Sequence, residues 1–165
     1  MHNQIIISLI LIIVCYILLQ CFTIHILKNA KKVKSGPVLG ESLEDFDVIN
    51  VNQKRIKFSK LSNSQPKLIL FVDMECTHCK SIIKSLNLFN KDVLKNIEFF
   101  TLNNKENLEQ LKEKNINQNF YLLSEEDMLE NLKVQLFPFY IEVDGNNIVQ
   151  KKGYASNNTI IEYLV

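Results

Sequence analysis

The feature that most restricts how this chain can fold is a change of hydrophobic period near residue 75. Directly after Pro66, Lys67-Leu68-Ile69-Leu70-Phe71-Val72 forms a nearly unbroken apolar run. Such a run suits a central strand buried on both faces. Over residues 77–90 the apolar side chains return at helical spacing, as Ile82, Ile83, Leu86 and Phe89. A buried strand that feeds straight into a helix starts a βα unit, and Cys76-Thr77-His78-Cys79 stands at the junction.

The rest of the chain repeats this alternation. Residues 46–51 and 55–58 read as a small hairpin turned by Asn52-Gln53-Lys54. Residues 96–102 form a second apolar strand, 106–114 a polar helix anchored by Leu108 and Leu111, and 120–123 a short strand. Ser124 with Asp127 three residues on reads as the N-cap of another helix. Phe139–Val143 and Asn147–Lys151 flank Asp144-Gly145-Asn146, a strong hairpin turn. A helix from Asn157 to Leu164, capped by Ser156 or Asn157, closes the domain. The expected order ββ-βαβα-βα-ββα is that of an α/β fold with a mixed central sheet flanked by helices.

The N-terminus is a different material. Ile5 to Leu27 carries no charged side chain apart from His25, and every Lys and Arg lies at Lys28 or later. A helix of that length spans roughly 34 Å at 1.5 Å per residue, enough for a hydrocarbon core of about 30 Å. A cleaved signal peptide would want a positive n-region and a small-residue cleavage site. Met1-His2-Asn3-Gln4 offers no positive charge, and in Leu18-Leu19-Gln20-Cys21 the bulky Gln20 spoils a lipoprotein box. The expectation is a retained transmembrane anchor over 1–27 with residues 5–27 in lipid, a linker over 28–40, and one folded domain over 41–165. A net charge of +1 gives no broad basic surface, so nucleic acid is not an expected partner.

The chemistry concentrates at the cysteines. Cys76 falls at the helix N-terminus, where the macrodipole and free amide groups stabilise a thiolate. Cys79, one turn on, can reach back to it. Cys76 is then the exposed nucleophile and Cys79 the shielded resolving thiol. The His78 imidazole can approach the Cys76 sulfur and favour the reduced form, which makes the disulfide a better oxidant. Structural zinc takes four ligands, and Cys15 and Cys21 in the apolar segment cannot complete a set. A c-type haem site wants His straight after the second Cys, where Lys80 stands. A metal-binding or metallochaperone module using Cys76, Cys79 and His78 remains the alternative. Thiol–disulfide exchange itself calls for no cofactor.

Leu68-Ile69-Leu70-Phe71-Val72-Asp73-Met74-Glu75-Cys76-Thr77-His78-Cys79-Lys80, with Leu136-Phe137-Pro138-Phe139 some sixty residues later, resembles the thioredoxin superfamily. The apolar start, Gly36-Pro37-Val38-Leu39-Gly40 and Asp45-Phe46 are similar to its membrane-anchored TlpA/ResA/MauD-type redoxins. The resemblance implies a thioredoxin-like fold, a membrane-anchored protein thiol–disulfide oxidoreductase, Cys76 and Cys79 as the redox pair, and Pro138 as a cis-proline. It also implies protein thiol or disulfide substrates and a membrane or extracytoplasmic redox partner. Two departures stand out. The positions where the family carries a buried Asp or Glu near the resolving cysteine are Leu70 and Ile82 here, with Asp73 and Glu75 nearby as substitutes or as plain loop residues. Glu75 beside Cys76 opposes a thiolate, against His78.

Location is read from two opposed signals. Lys28, Lys31, Lys32 and Lys34 follow the apolar run, and the positive-inside rule would put that flank in the cytoplasm. Structural disulfides persist outside it. The expectation is a single-pass protein of the cell membrane with its redox domain extracytoplasmic.

Overall fold

The computed structural model describes residues 12–21, 35–61, 65–86, 89–90, 92–113 and 119–164. The chain divides into two compact units, Met1–Lys34 and Ser35–Val165. In the first, residues 12–21 form helix α1, whose side chains are all exposed. The expected transmembrane span continues on both sides of α1 outside the described residues. Among the described residues, no helix is long and apolar enough to cross a membrane; ten helical residues rise only about 15 Å.

The second unit is built on a seven-stranded mixed sheet in the order β2-β1-β5-β4-β3-β6-β7. The strands are β1 Asp47–Asn50, β2 Arg55–Lys57, β3 Lys67–Phe71, β4 Ile97–Leu102, β5 Phe120–Leu123, β6 Phe139–Val143 and β7 Val149–Tyr154. The helices are α2 Thr77–Leu86, α3 Lys105–Glu113 and α4 Asn157–Leu164. β3, β4 and β5 run parallel, while β6 lies antiparallel on the other side of β3. Both parallel steps move the same way across the sheet, so right-handed crossovers put α2 and α3 on one face.

Alternation along each strand divides the apolar residues between the faces. Leu68, Leu70 and Val72 meet Ile97, Phe99, Phe120 and Leu122 on the helical side, packed with Ile82, Ile83 and Leu86 of α2, Leu111 of α3 and Ile160 of α4. The other face carries an aromatic cluster. Phe46 stacks on Phe58 at 4.7 Å, and Phe100 stands edge-on to Phe71 at 5.6 Å and to Phe58 at 6.0 Å. All five residues of β3 are buried, Lys67 among them. Its ammonium donates to Glu98 Oε1 at 3.0 Å and to the Leu61 carbonyl. Burial pushes the Glu98 carboxyl upward in pKa against the pull of Lys67 and of the Tyr121 hydroxyl beside it.

Local signals act where the chain carries them. Ser124 Oγ accepts from the Asp127 amide at 3.0 Å and donates to its carboxylate at 2.6 Å. The cap opens onto a single wide turn, Asp127–Asn131, instead of a regular helix: Leu132 N–H reaches back five residues to Asp127 O at 2.9 Å. That turn buries Met128 completely. Ser156 caps α4 by accepting from Thr159 N–H at 3.3 Å. The last hairpin turns around Asp144, whose carboxylate accepts from Asn146 and Ile148. Asn147 takes a positive φ of 60°, so β7 begins at Val149, two residues later than the hydrophobic pattern suggests.

Candidate active site

Three segments converge where β3 ends. The loop 72–75 leads out of the sheet, α2 begins, and the 133–138 loop arrives at β6. Cys76 precedes the first residue of α2, and its carbonyl accepts the first helical bond, from Lys80 N–H at 3.0 Å. It is therefore the N-cap, with its sulfur taking the place of a capping hydroxyl. The Cys79 amide donates to Cys76 Sγ at 3.4 Å. On its other side Cys76 Sγ lies 3.8 Å from the Phe137 carbonyl, which can accept its S–H. The Phe137–Pro138 peptide bond is cis, and the Pro138 carbonyl accepts from Ala155 N–H at 3.1 Å.

The two thiols differ in surroundings. Cys76 is half-buried, while Cys79 is wholly buried. Burial pushes the Cys79 thiol up to about 12, reinforced by the neighbouring Cys76 sulfur and only partly opposed by the Asp73 amide. That amide donates to Cys79 Sγ at 3.4 Å. Leu70 and Ile82 are buried in the same cluster as Cys79. The buried polar side chains among the described residues are Ser35, Lys67, Glu98, Thr101 and Asn107. Of Asp73 and Glu75, the first is built into the loop: its Oδ1 accepts from Glu75 N–H at 2.8 Å and its carbonyl from Cys76 N–H at 3.2 Å. Such an Asx turn is readable from an Asp just past a strand end. The Glu75 side chain is exposed.

His78 is exposed on the first turn of α2 and has no hydrogen-bond or ion-pair partner among the described residues. Among those residues no three His, Cys, Asp or Glu side chains are placed to hold a metal ion.

A contribution that the cysteine motif does not announce comes from residues 35–36. Gly36 N–H donates to Lys133 O at 2.7 Å, Gln135 N–H to Ser35 Oγ at 3.1 Å, and Lys152 Nζ to the Ser35 and Gly36 carbonyls at 3.1 and 3.0 Å. This strap fastens the loop that carries Phe137 and Pro138. Gly36 sits at φ +79°, with the Phe139 ring 2.6 Å from where a Cβ would be. The signal was the Ser35-Gly36-Pro37 sequence, which reads equally well as a connector.

Solved structures share this fold. The thioredoxin domain of a thiol-disulfide oxidoreductase from Bacteroides vulgatus superposes with a TM-score of 0.57 at 19% identity, covering 78% of this chain and 99% of that one. An exposed lipoprotein thioredoxin from Streptococcus pneumoniae gives 0.59 at 15% identity, covering 73% and 98%. The chain has the thioredoxin fold. A thiol peroxidase from Chromobacterium violaceum shares that fold with a TM-score of 0.55 at 17% identity, covering 79% and 87%. No protein-family model and no curated protein matches the chain. Within the thioredoxin fold, Cys76, Cys79 and Pro138 meet at one end of β3, and His78 stands at the rim.

Proposed function

We propose that this protein is a thiol–disulfide oxidoreductase that exchanges disulfides with partner proteins through Cys76 and Cys79. The observation that carries the reading is the Cys76 sulfur: it caps α2, accepts the Cys79 amide at 3.4 Å, and is the accessible member of the pair. The amide and the helix dipole favour the sulfur as an anion.

In the reducing direction the Cys76 thiolate attacks one sulfur of a partner disulfide and the other partner sulfur leaves as a thiolate. Cys79 then attacks Cys76 Sγ. The Cys76–Cys79 disulfide forms, the second partner sulfur leaves, and the Cys79 proton passes to a departing thiolate or to water. Two electrons move from the pair to the partner. The oxidising direction is the same sequence reversed. Similar structures that include a thiol-disulfide oxidoreductase and a thiol:disulfide interchange protein support this chemistry.

The reading includes a membrane anchor over residues 5–27 and a redox domain outside the cytoplasm. The uncharged apolar sequence supports the first and the persistence of disulfide substrates there supports the second, against the lysine-rich flank. Protease added to intact cells should degrade the domain; protection until lysis would overturn its placement.

The test of the chemistry is trapping. Cys79→Ser should accumulate mixed disulfides with other proteins, reversed by reductant, and Cys76→Ser should not. Equilibration in redox buffers should show one reversible disulfide. A midpoint of roughly −120 to −180 mV would mark a disulfide donor and roughly −270 mV a reductant. If Cys79→Ser traps nothing and no reversible disulfide forms, the proposal fails.

A further inference from the structure

The 133–138 loop carries no helix or strand, yet its backbone is fixed at several points. Lys133 stands at φ +53°, a left-handed setting that an L-residue keeps only where its neighbours hold it. Its carbonyl accepts from Gly36 N–H at 2.7 Å and from the Ser35 hydroxyl at 3.5 Å. The same Ser35 Oγ accepts from Gln135 N–H at 3.1 Å. Ser35 is buried, and its one hydroxyl ties together the two residues that flank the wholly buried Val134.

What the strap holds is the carbonyl that meets the nucleophile. Phe137 follows shortly after Gln135, and its oxygen stands 3.8 Å from Cys76 Sγ, where it accepts the S–H. On its other side, Ala155 N–H fixes the Pro138 carbonyl at 3.1 Å. The Phe137 carbonyl is thus set between two anchored points. Across the sulfur, the Cys79 amide donates at 3.4 Å. These two groups act in opposite senses. A donor favours the thiolate, while a carbonyl oxygen favours the thiol and opposes the anion.

We propose that Ser35 is a positioning residue: by fastening the 133–138 loop it keeps the Phe137 carbonyl against Cys76 Sγ and restrains the nucleophile of the reduced protein. The inference rests on the reading of Cys76 as the attacking thiol. Loss of the Ser35 hydroxyl removes both of its hydrogen bonds and leaves the left-handed turn at Lys133 with less support. The carbonyl then withdraws, and a larger share of Cys76 is thiolate at neutral pH. One hydrogen bond shifts such an equilibrium roughly two- to tenfold. The titratable groups of the segments that meet there are Asp73, Glu75, His78 and Cys79 around the start of α2, Lys133 in the loop and Tyr154 on β7. All are retained when Ser35 is replaced, so a change in Cys76 reports the strap.

The test alkylates the full-length reduced protein with iodoacetamide across neutral to alkaline pH and follows Cys76 by peptide mass analysis. Ser35→Ala should react about two- to tenfold faster than the wild-type chain at pH 7. The two rates should converge near pH 10, well above the ordinary thiol value of about 8.5. Ser35→Thr keeps a hydroxyl and should stay close to the wild-type rate. Asp144→Ala breaks the hairpin bonds to Asn146 and Ile148. That hairpin adjoins Val143, which pairs with Lys67 at the far end of β3, so Asp144→Ala should leave the Cys76 rate unchanged. Equal rates for Ser35→Ala and the wild-type chain at pH 7 overturn the proposal. A gain that persists undiminished near pH 10 marks wider access to the sulfur and also overturns it, as does the same gain in Ser35→Thr or Asp144→Ala. Alkylation needs no partner protein. Failure of Cys79→Ser to trap mixed disulfides therefore removes the exchange reading without touching these rates.

Discussion

The asymmetry between the two thiols can be read by alkylation of the reduced protein. Cys79 is wholly buried and its thiol is pushed up to about 12. At pH 7 that leaves about one thiolate in 10⁵, whereas an ordinary thiol near 8.5 offers about one in 30. The ionisation difference alone slows Cys79 roughly 3,000-fold against such a thiol, and burial restricts reagent access further. Iodoacetamide at pH 7, followed by peptide mass analysis, should therefore modify Cys76 first and Cys79 at least about 10³-fold more slowly. Cys76→Ser removes the sulfur that reinforces the shift but leaves its main cause, burial. Cys79 should then react somewhat faster and remain far slower than an exposed thiol. Its rate should climb about tenfold per pH unit without levelling below about pH 11. The same proton sets the sign of the linkage to stability. The folded state keeps a proton that the unfolded chain releases, so this contribution to stability is complete below pH 9.0 and is lost as pH rises toward about 12. A Cys79 rate comparable to that of Cys76, or one that levels near pH 8.5, would refute the reasoning.

Two other perturbations test the frame that holds the site. Lys67→Met leaves Glu98 buried and unpaired and should cost about 3–5 kcal/mol in chemical unfolding. Lys67→Met with Glu98→Leu should recover most of that loss, and a double variant as unstable as the single one would contradict the assignment. Gly36→Ala forces an L-residue to φ +79° and a Cβ to 2.6 Å from the Phe139 ring. The backbone part costs about 1–2 kcal/mol and the crowding about 1–3 kcal/mol, unless the strap lets go. A loss of stability, or faster proteolysis near residue 36, is the expected outcome, and neither would mean that the strap bears no strain.

The parts of the fold that rest on local rules were legible. The β3–α2 switch followed from a run of apolar residues giving way to helical spacing, and the caps at Ser124 and Ser156 follow from single side chains. The parts that rest on partners distant in sequence were not. Lys67 and Glu98 lie 31 residues apart, and each alone looks like a polar interruption in an apolar strand. Only the pairing of neighbouring strands turns them into a buried ion pair. Ser35 and Gly36 are small residues of a connector until Lys133, Gln135 and Lys152 supply their hydrogen bonds from about a hundred residues away. The wide turn at Asp127–Asn131 escaped for a related reason. The cap announces a start, but the burial of Met128 and Leu132 governs how tightly the turn winds.

The site divides along the same line. Adjacent chemistry, Cys76 at a helix start with Cys79 one turn later, was visible in four letters. The arrival of the Phe137 carbonyl depends on a loop that the resemblance, and not the spacing, pointed to. The apolar residues at Leu70 and Ile82 were visible too, and the structure gives them a consequence. They share the cluster that encloses Cys79, and its sulfur meets a backbone amide in place of a carboxylate. A resolving thiol so placed holds its proton until a partner thiolate leaves or hydroxide reaches it. In the proposed exchange, the second step then depends on pH through Cys79. The mixed disulfide at Cys76 should shorten its lifetime as pH rises, while Cys79→Ser makes that lifetime insensitive to pH through this route.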